Sequence, residues 1–132
     1  MKRVLFVCIE NACRSQMAEA FARRLGAGRV EACSAGSRAT GSVDPRAVAF
    51  MAERGYDLNV QASKPLSAFE GQTFDAIVTM GCGDACPWLP ATHRADWDLP
   101  DPKALPDKEF RAVRDDVERR VQRLLVEWDI QS

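Results

Sequence analysis

The chain of 132 residues is 46% hydrophobic and 28% charged, with a formal net charge of -1 at pH 7. That length suits one compact domain, residues 1–132. The near-zero charge excludes the broad positive field that nucleic acid or an anionic membrane would require, so any anion must be gripped by a local site. No apolar stretch is long enough to span a bilayer, and "VLFVCI" behind "MKR" is too short for an export signal, with Glu10 and Asn11 following at once. The expectation is a cytoplasmic monomer with no nucleic-acid or membrane partner.

Residues 3–8 (RVLFVC) are apolar, β-branched and aromatic, and predict a buried strand. Residues 15–25 predict a helix, with Met17, Phe21 and Leu25 on one face and Gly26 as its stop. Residues 29–35 predict a second strand and "GSRATGS" a loop. Asp44 then caps a helix with Pro45 at its first position, reaching about Gly55. "SKPLSAF" from Ser63 reads as a short turn or helix, residues 74–80 (FDAIVTM) as a third strand, and "HRADWDL" as holding a short fourth. The segment from Pro87 to Asp107, rich in Pro and Asp, reads as a long ordered surface loop around that strand. Asp107 opens a last helix, in which Phe110, Val113, Val117, Val121, Leu124 and Trp128 form an apolar stripe. Strands alternating with helices imply an α/β fold, with right-handed crossovers and a parallel sheet covered on both faces.

The five cysteines are an odd number in a chain without an export signal, which argues against a disulfide framework. Cys33, in apolar "VEACSAG", reads as a small buried hydrophobe. Cys8, Cys13, Cys82 and Cys86 instead lie in Gly-, Asn- or Asp-containing loops. As half of a zinc site, Cys82 and Cys86 would need two more ligands, and the chain offers only strand Cys33 and its one histidine, His93, so no metal is expected. His93 reads as a surface residue and Cys13 as a loop-packing thiol.

Cys8 lies at the carboxyl end of the first strand, where open α/β sheets bind ligands. The loop "IENAC", from Ile9 through Glu10, Asn11 and Ala12 to Cys13, then turns into a helix amino terminus at Arg14 and Ser15. Inward-pointing amides and the helix dipole make such a loop an anion site, and the planar fork of Arg14 matches a tetrahedral oxyanion. The same positive surroundings favour a reactive Cys8 thiolate. The loop thus supplies a nucleophile and a clamp for the anion it attacks.

"CIENACRSQMAEA" resembles the phosphate-binding loop of the low-molecular-weight protein tyrosine phosphatases and of the thioredoxin-coupled arsenate reductases that share their fold. "SAGS", "SK" at Ser63, "FDAIVTM" before a cysteine loop and "DLPDP" before the last helix follow in the family order, so the resemblance covers nearly the whole chain. It implies a three-layer α/β sandwich with a four-stranded parallel sheet in the order 2-1-3-4. It also implies Cys8 as nucleophile, Arg14 as oxyanion ligand, Asn11 and Ser15 as shapers of the loop that hydrogen-bond the thiolate, and Asp101 as general acid for a poorly leaving oxygen. Asp98 is the rival acid if the loop register is shifted. Where the family often has glycine before Asn11, this chain has Glu10, which is expected to face solvent.

A phosphatase and an arsenate reductase share the first step and diverge at the second. Water hydrolyses a phosphocysteine, whereas an arseno-cysteine is attacked by a second thiol, which expels arsenite and leaves a disulfide. The resemblance implies that Cys82 attacks Cys8 and Cys86 then attacks Cys82. Gly81 and Gly83 give that loop freedom to move. The disulfide passes to an external thiol reductant (thioredoxin, or a glutaredoxin or low-molecular-weight thiol system), with no tightly bound cofactor. The favoured function is therefore arsenate reduction. The alternative is hydrolysis of phosphate monoesters through a Cys8 phosphocysteine. Family phosphatases carry aromatic residues after the Asp-Pro pair, where this chain has Lys103 and Ala104; Trp88 and Trp97 read as packing residues. A non-enzymatic thiol sensor would explain the cysteines but not Arg14 or Asp101. Potassium-binding members hold the ion with residues resembling Asn11, Glu19 and Ser34 plus an acidic residue. Here Lys64 stands at that place, and the expectation is an absent or weak site.

Overall fold

The structure is a computed structural model and describes residues 1–81 and 91–127. Strand β1 (Lys2–Cys8) is apolar from Val4 onward because both its faces are covered. Val4, Phe6 and Cys8 point into one core, Leu5 and Val7 into another. It pairs in parallel with β2 (Val30–Gly36) and with β3 (Phe74–Thr79), and β3 pairs with β4 (Ala91–Asp96), giving the order β2-β1-β3-β4. This is the arrangement implied by the sequence. The register sets Cys8 opposite Gly36, Val7 opposite Thr79 and Thr79 opposite Asp96, so every strand delivers its carboxyl end to the same edge.

Three helices cover one face: α1 (Arg14–Leu25), α2 (Pro45–Ala52) and α3 (Asp107–Glu127). Met17, Phe21, Met51, Phe110 and Val117 from these helices pack with Val4, Phe6 and Val78 of the sheet. The opposite layer is thinner: a 3-10 turn at Leu66–Phe69 lays Leu66 and Phe69 on Leu5, Val7 and Ile77. Asp44 caps α2 as its sequence predicts, its side chain accepting from the Arg46 amide at 2.8 Å.

Several expectations shift. Helix α2 stops at Ala52, and a turn closed by the Gly55 amide on the Ala52 carbonyl replaces its last turn. Gly55 sits at φ 82, where glycine is favoured. Strand β4 begins at Ala91 and ends before Trp97, whose ring leaves the strand and packs 5.8 Å from Phe6. Residues 92–96 are exposed, so cover is incomplete at this edge, and their polar composition suits an edge strand. In α3 the buried stripe runs Phe110, Val113, Val117, Val121, Leu125, with Leu124 only partly buried, because a spacing of four after Val121 follows the helical drift. Trp128 lies outside the described residues. No helix among the described residues is long and apolar enough to cross a membrane.

A buried cation locks α2 to α3. Arg114, 5% exposed, donates to the Phe50 carbonyl at 2.9 Å and to Glu53 at 2.7 Å. Hydrogen bonds from Arg111 and then Arg114 hold the Glu53 carboxyl down at about 2. Replacing Arg114 by Leu strands the Phe50 carbonyl, and chemical denaturation should register a loss of about 2–3 kcal/mol. Glu53 is depressed in the folded state, so its contribution is present above the ordinary carboxylate range and is lost as pH falls toward about 2. Stability measured across that window should therefore fall less steeply in Glu53→Gln than in the parent; equal slopes would contradict the linkage.

Candidate active site

The loop after β1 owes its shape to carbonyls pulled outward. The Cys8 carbonyl accepts from the Ser37 amide (3.3 Å), Ile9 from Arg38 (2.7 Å), Glu10 from Thr40 (3.2 Å) and Ala12 from Asp44 (3.0 Å). In a trans peptide the amide points opposite to the carbonyl, so the following N–H groups are turned inward around Cys8. Gly36 allows this approach: a Cβ there would stand 2.6 Å from the Ile9 oxygen and 2.8 Å from the Asn11 nitrogen. No side chain caps the start of α1, which leaves its first amides facing the same space.

Asn11 makes the tight corner at φ 51, an unusual conformation for a residue with a Cβ. Its side chain is held on both atoms. Nδ2 donates to Ser15 Oγ at 2.7 Å, and Oδ1 accepts from Gln16 Nε2 at 2.9 Å and from the Lys64 amide at 2.8 Å. Ser15 Oγ lies 2.8 Å from Cys8 Sγ. With Asn11 donating to that hydroxyl oxygen, the serine hydrogen is available to the sulfur. The structure thus brings together Cys8, Asn11, Arg14 and Ser15, all buried.

Arg14 donates from Nη1 to the Met80 carbonyl (2.7 Å) and the Leu99 carbonyl (3.1 Å), and its Nη2 stands 3.9 Å from Asp101 Oδ2. The guanidinium therefore joins the first loop to the end of β3 and to the loop before α3. Asp101 lines the same small cavity as Cys8, Glu10, Ala12, Cys13 and Arg14, whereas the exposed Asp98 does not. Asp101 Oδ1 also accepts from the Lys103 amide at 3.1 Å, capping the 3-10 turn Pro102–Ala104. Trp97 is buried against Phe6, the packing role read for it from the sequence.

Glu10 departs from expectation. It does not simply face solvent: its carboxylate meets Lys103 Nζ at 3.0 and 3.3 Å. A charge next to an anion cradle is tolerated when an opposite charge cancels it, and the hydrogen bond to Glu10 in turn pushes the Lys103 ammonium up from its ordinary value. Cys13 is buried beside Asp44, and burial followed by that carboxylate pushes its thiol far up, which suits a packing residue. Cys33 is half-buried and is pushed up chiefly by burial. Cys82, Cys86 and Trp88 lie outside the described residues. Sequence reasoning missed Gln16, which is fully buried and donates to Asn11 and to the Ala62 carbonyl. A glutamine inside an amphipathic pattern gives no signal of its partners.

The potassium-site residues do not fit a cation here. Glu19, 2% exposed, accepts from Ser34 Oγ (2.6 Å) and Arg23 (2.7 Å), and Lys64 Nζ stands 3.7 Å from Oε1. The oxygens that would ligate a cation are already taken by donors, two of them charged. The thermal midpoint should be the same in potassium chloride and in tetramethylammonium chloride at equal ionic strength; a rise specific to potassium would contradict this reading.

Gly81, at φ 77, lies two residues past the end of β3, against Arg14. A Cβ there would stand 2.8 Å from Arg14 Nη1 and 3.1 Å from the Leu99 oxygen. Gly81→Ala should displace the guanidinium and weaken binding of inorganic phosphate, read by titration calorimetry, by about tenfold or more. Unchanged affinity would show that the close approach is incidental.

Residues 3–131 match the family model described as low molecular weight phosphotyrosine protein phosphatase. A glutaredoxin arsenate reductase of Synechocystis is 41% identical over 128 residues, covering 95% of this chain and 97% of that one. A solved arsenate reductase in the phosphate binding state superposes with a TM-score of 0.86 at 39% identity, over 96% of this chain and 98% of the other. A thioredoxin-dependent arsenate reductase from Corynebacterium glutamicum superposes at 0.79 with 32% identity, over 96% of this chain and 61% of its own. With a phosphate-type loop built around Cys8 and Arg14 at the head of a 2-1-3-4 parallel sheet, the chain belongs to the low molecular weight phosphotyrosine protein phosphatase family.

Proposed function

We propose that the protein is an arsenate reductase that works through a cysteine relay. Its Cys8 thiolate attacks arsenic(V), displacing an oxygen whose departure Asp101 assists with a proton. Arg14 and the inward amides hold the remaining oxygens. Cys82 then attacks the Cys8 sulfur. The S–As bond breaks, its electron pair stays on arsenic, and arsenite leaves as a Cys8–Cys82 disulfide forms. Cys86 attacks Cys82, returns Cys8 to thiolate and leaves a Cys82–Cys86 disulfide, which an external dithiol of the thioredoxin or glutaredoxin kind reduces. Each exchange moves two electrons and needs no tightly bound cofactor.

The observation that carries this reading is the position of Gly81. Gly81, the residue immediately before Cys82 in the sequence, packs against the Arg14 guanidinium beside the cradle that holds Cys8. Arsenate reductases among the relatives, one named for glutaredoxin and one for thioredoxin, support the reductive second step. The family membership alone keeps phosphomonoester hydrolysis as the alternative. Against it stand Lys103 and Ala104, which offer no aromatic surface after Asp101 and Pro102.

The test is arsenite release from arsenate with a thioredoxin or glutaredoxin system. Cys8→Ser should release none. Cys86→Ser should stop after about one arsenite per chain, the stoichiometry of a relay that cannot regenerate Cys8. Hydrolysis of a phosphotyrosine analogue far exceeding arsenate turnover, or continued turnover by Cys86→Ser with the protein reductant, would overturn the proposal.

A further inference from the structure

We propose that the Glu10–Lys103 ion pair is a latch across the mouth of the cradle that admits free tetrahedral oxyanions and discriminates against their esters; the inference rests on the oxyanion chemistry proposed for Cys8.

The solvent side of the cradle is identified by exposure. Cys8, Asn11, Arg14 and Ser15 are buried, whereas the Glu10 side chain is 34% exposed and that of Lys103 is 51% exposed. Glu10 lines the cavity beside Asp101, whose side chain is 49% exposed, and Lys103 is held by Glu10 and feels the charge of Asp101, so the pair lies on the open side. Both of its ends are anchored. The Glu10 carbonyl accepts from the Thr40 amide and Ser63 Oγ, each at 3.2 Å. The Lys103 carbonyl accepts from Arg46 Nη1 at 3.0 Å and its amide donates to Asp101 Oδ1 at 3.1 Å. With the backbones fixed on both sides, only the two side chains have to part for the mouth to open.

What lies beneath is small. The cavity lined by Cys8, Glu10, Ala12, Cys13, Arg14 and Asp101 is about 10 Å3, roughly the space of one water. A tetrahedral oxyanion needs the latch to open for entry, after which nothing of the ligand projects through it. An ester differs. Its substituent must project past the exposed side, where Glu10 and Asp101 line the cavity and Lys103 pairs with Glu10, since Cys8, Ala12, Cys13 and Arg14 on the other described walls are buried. The latch therefore opposes ester turnover for as long as the ester is bound, and opposes a free oxyanion only while it passes. The pair also cancels the Glu10 charge that would otherwise repel an incoming anion.

The experiment compares kcat/KM for p-nitrophenyl phosphate with the inhibition constant of inorganic phosphate, in the parent, Glu10→Gln, Lys103→Met, the double variant and Lys103→Arg. Arsenite release is measured in parallel. Each neutralising single variant should raise ester kcat/KM about three- to fivefold relative to phosphate affinity, the range of a half-exposed ion pair. The double variant should add little beyond either single one, and Lys103→Arg should behave as the parent. Raising sodium chloride to about 1 M, where screening acts over about 3 Å, should raise the relative ester rate of the parent but not that of Lys103→Met. An unchanged ratio in the single variants, additive effects in the double, or an equal salt response in parent and variant would overturn the latch. Absence of arsenite release in the parent would instead count against the reductase reading, leaving the latch to be judged on the ester and phosphate measurements.

Discussion

Arg14, the first residue of α1, is a guanidinium taken out of water, 5% exposed, beside the loop that follows Cys8. Burying such a charge costs several kcal/mol unless its donors are met. Two carbonyls, Met80 and Leu99, meet one end of it, and Asp101 approaches the other. Those partners come from the end of β3 and from the loop before α3, so satisfying one side chain fixes two chain segments relative to Cys8. Gly81 is bare because the guanidinium lies where a Cβ would push. The loop bearing Asp101, the loop after Cys8 and Gly81 are thus tied together by a single solvation requirement.

The sheet makes that convergence possible. Parallel strands send their carboxyl ends to one edge, and β1 lies centrally between β2 and β3. The segment after β2 supplies the amides that pull the nucleophile loop's carbonyls outward, and the segment after β3 supplies the carbonyls that hold Arg14. Helix α1 completes the arrangement from below. It is buried from Arg14 through Ala22, and the polar residues it carries inward, Ser15, Gln16 and Glu19, are each hydrogen-bonded. That burial explains the left-handed Asn11: its side chain is held by Ser15, Gln16 and the Lys64 amide, which outweighs the backbone cost of its conformation.

The parts legible in the sequence were local or periodic. β1, the loop and α1 are contiguous, and the Asp44-Pro45 cap declares itself within two residues. The sheet order came from a motif resemblance, and the structure has the same order. What was illegible depends on residues far apart. Glu10 and Lys103 are separated by 93 positions, so a carboxylate that reads as solvated is in fact paired across the site. Gln16 lies off the Met17–Phe21–Leu25 face read from the sequence, but α1 is buried from Arg14 through Ala22, and polar side chains there are satisfied rather than solvated. The α3 stripe slipped from Leu124 to Leu125 because two adjacent leucines fit either helical spacing until the partner surface chooses.

The same packing separates the thiols by role. Cys8 sits over Ser15 within the cradle, while Cys13 is buried against Asp44 with its thiol pushed far up, which disfavours the thiolate that disulfide exchange uses. The central claim is that two electrons leave through Cys82 and Cys86 and not through Cys13. Peptide mapping of the parent protein after a single turnover with arsenate, in the absence of external reductant, tests it most directly. The account predicts one disulfide, Cys82–Cys86, with Cys8, Cys13 and Cys33 reduced; a Cys8–Cys13 disulfide would contradict it.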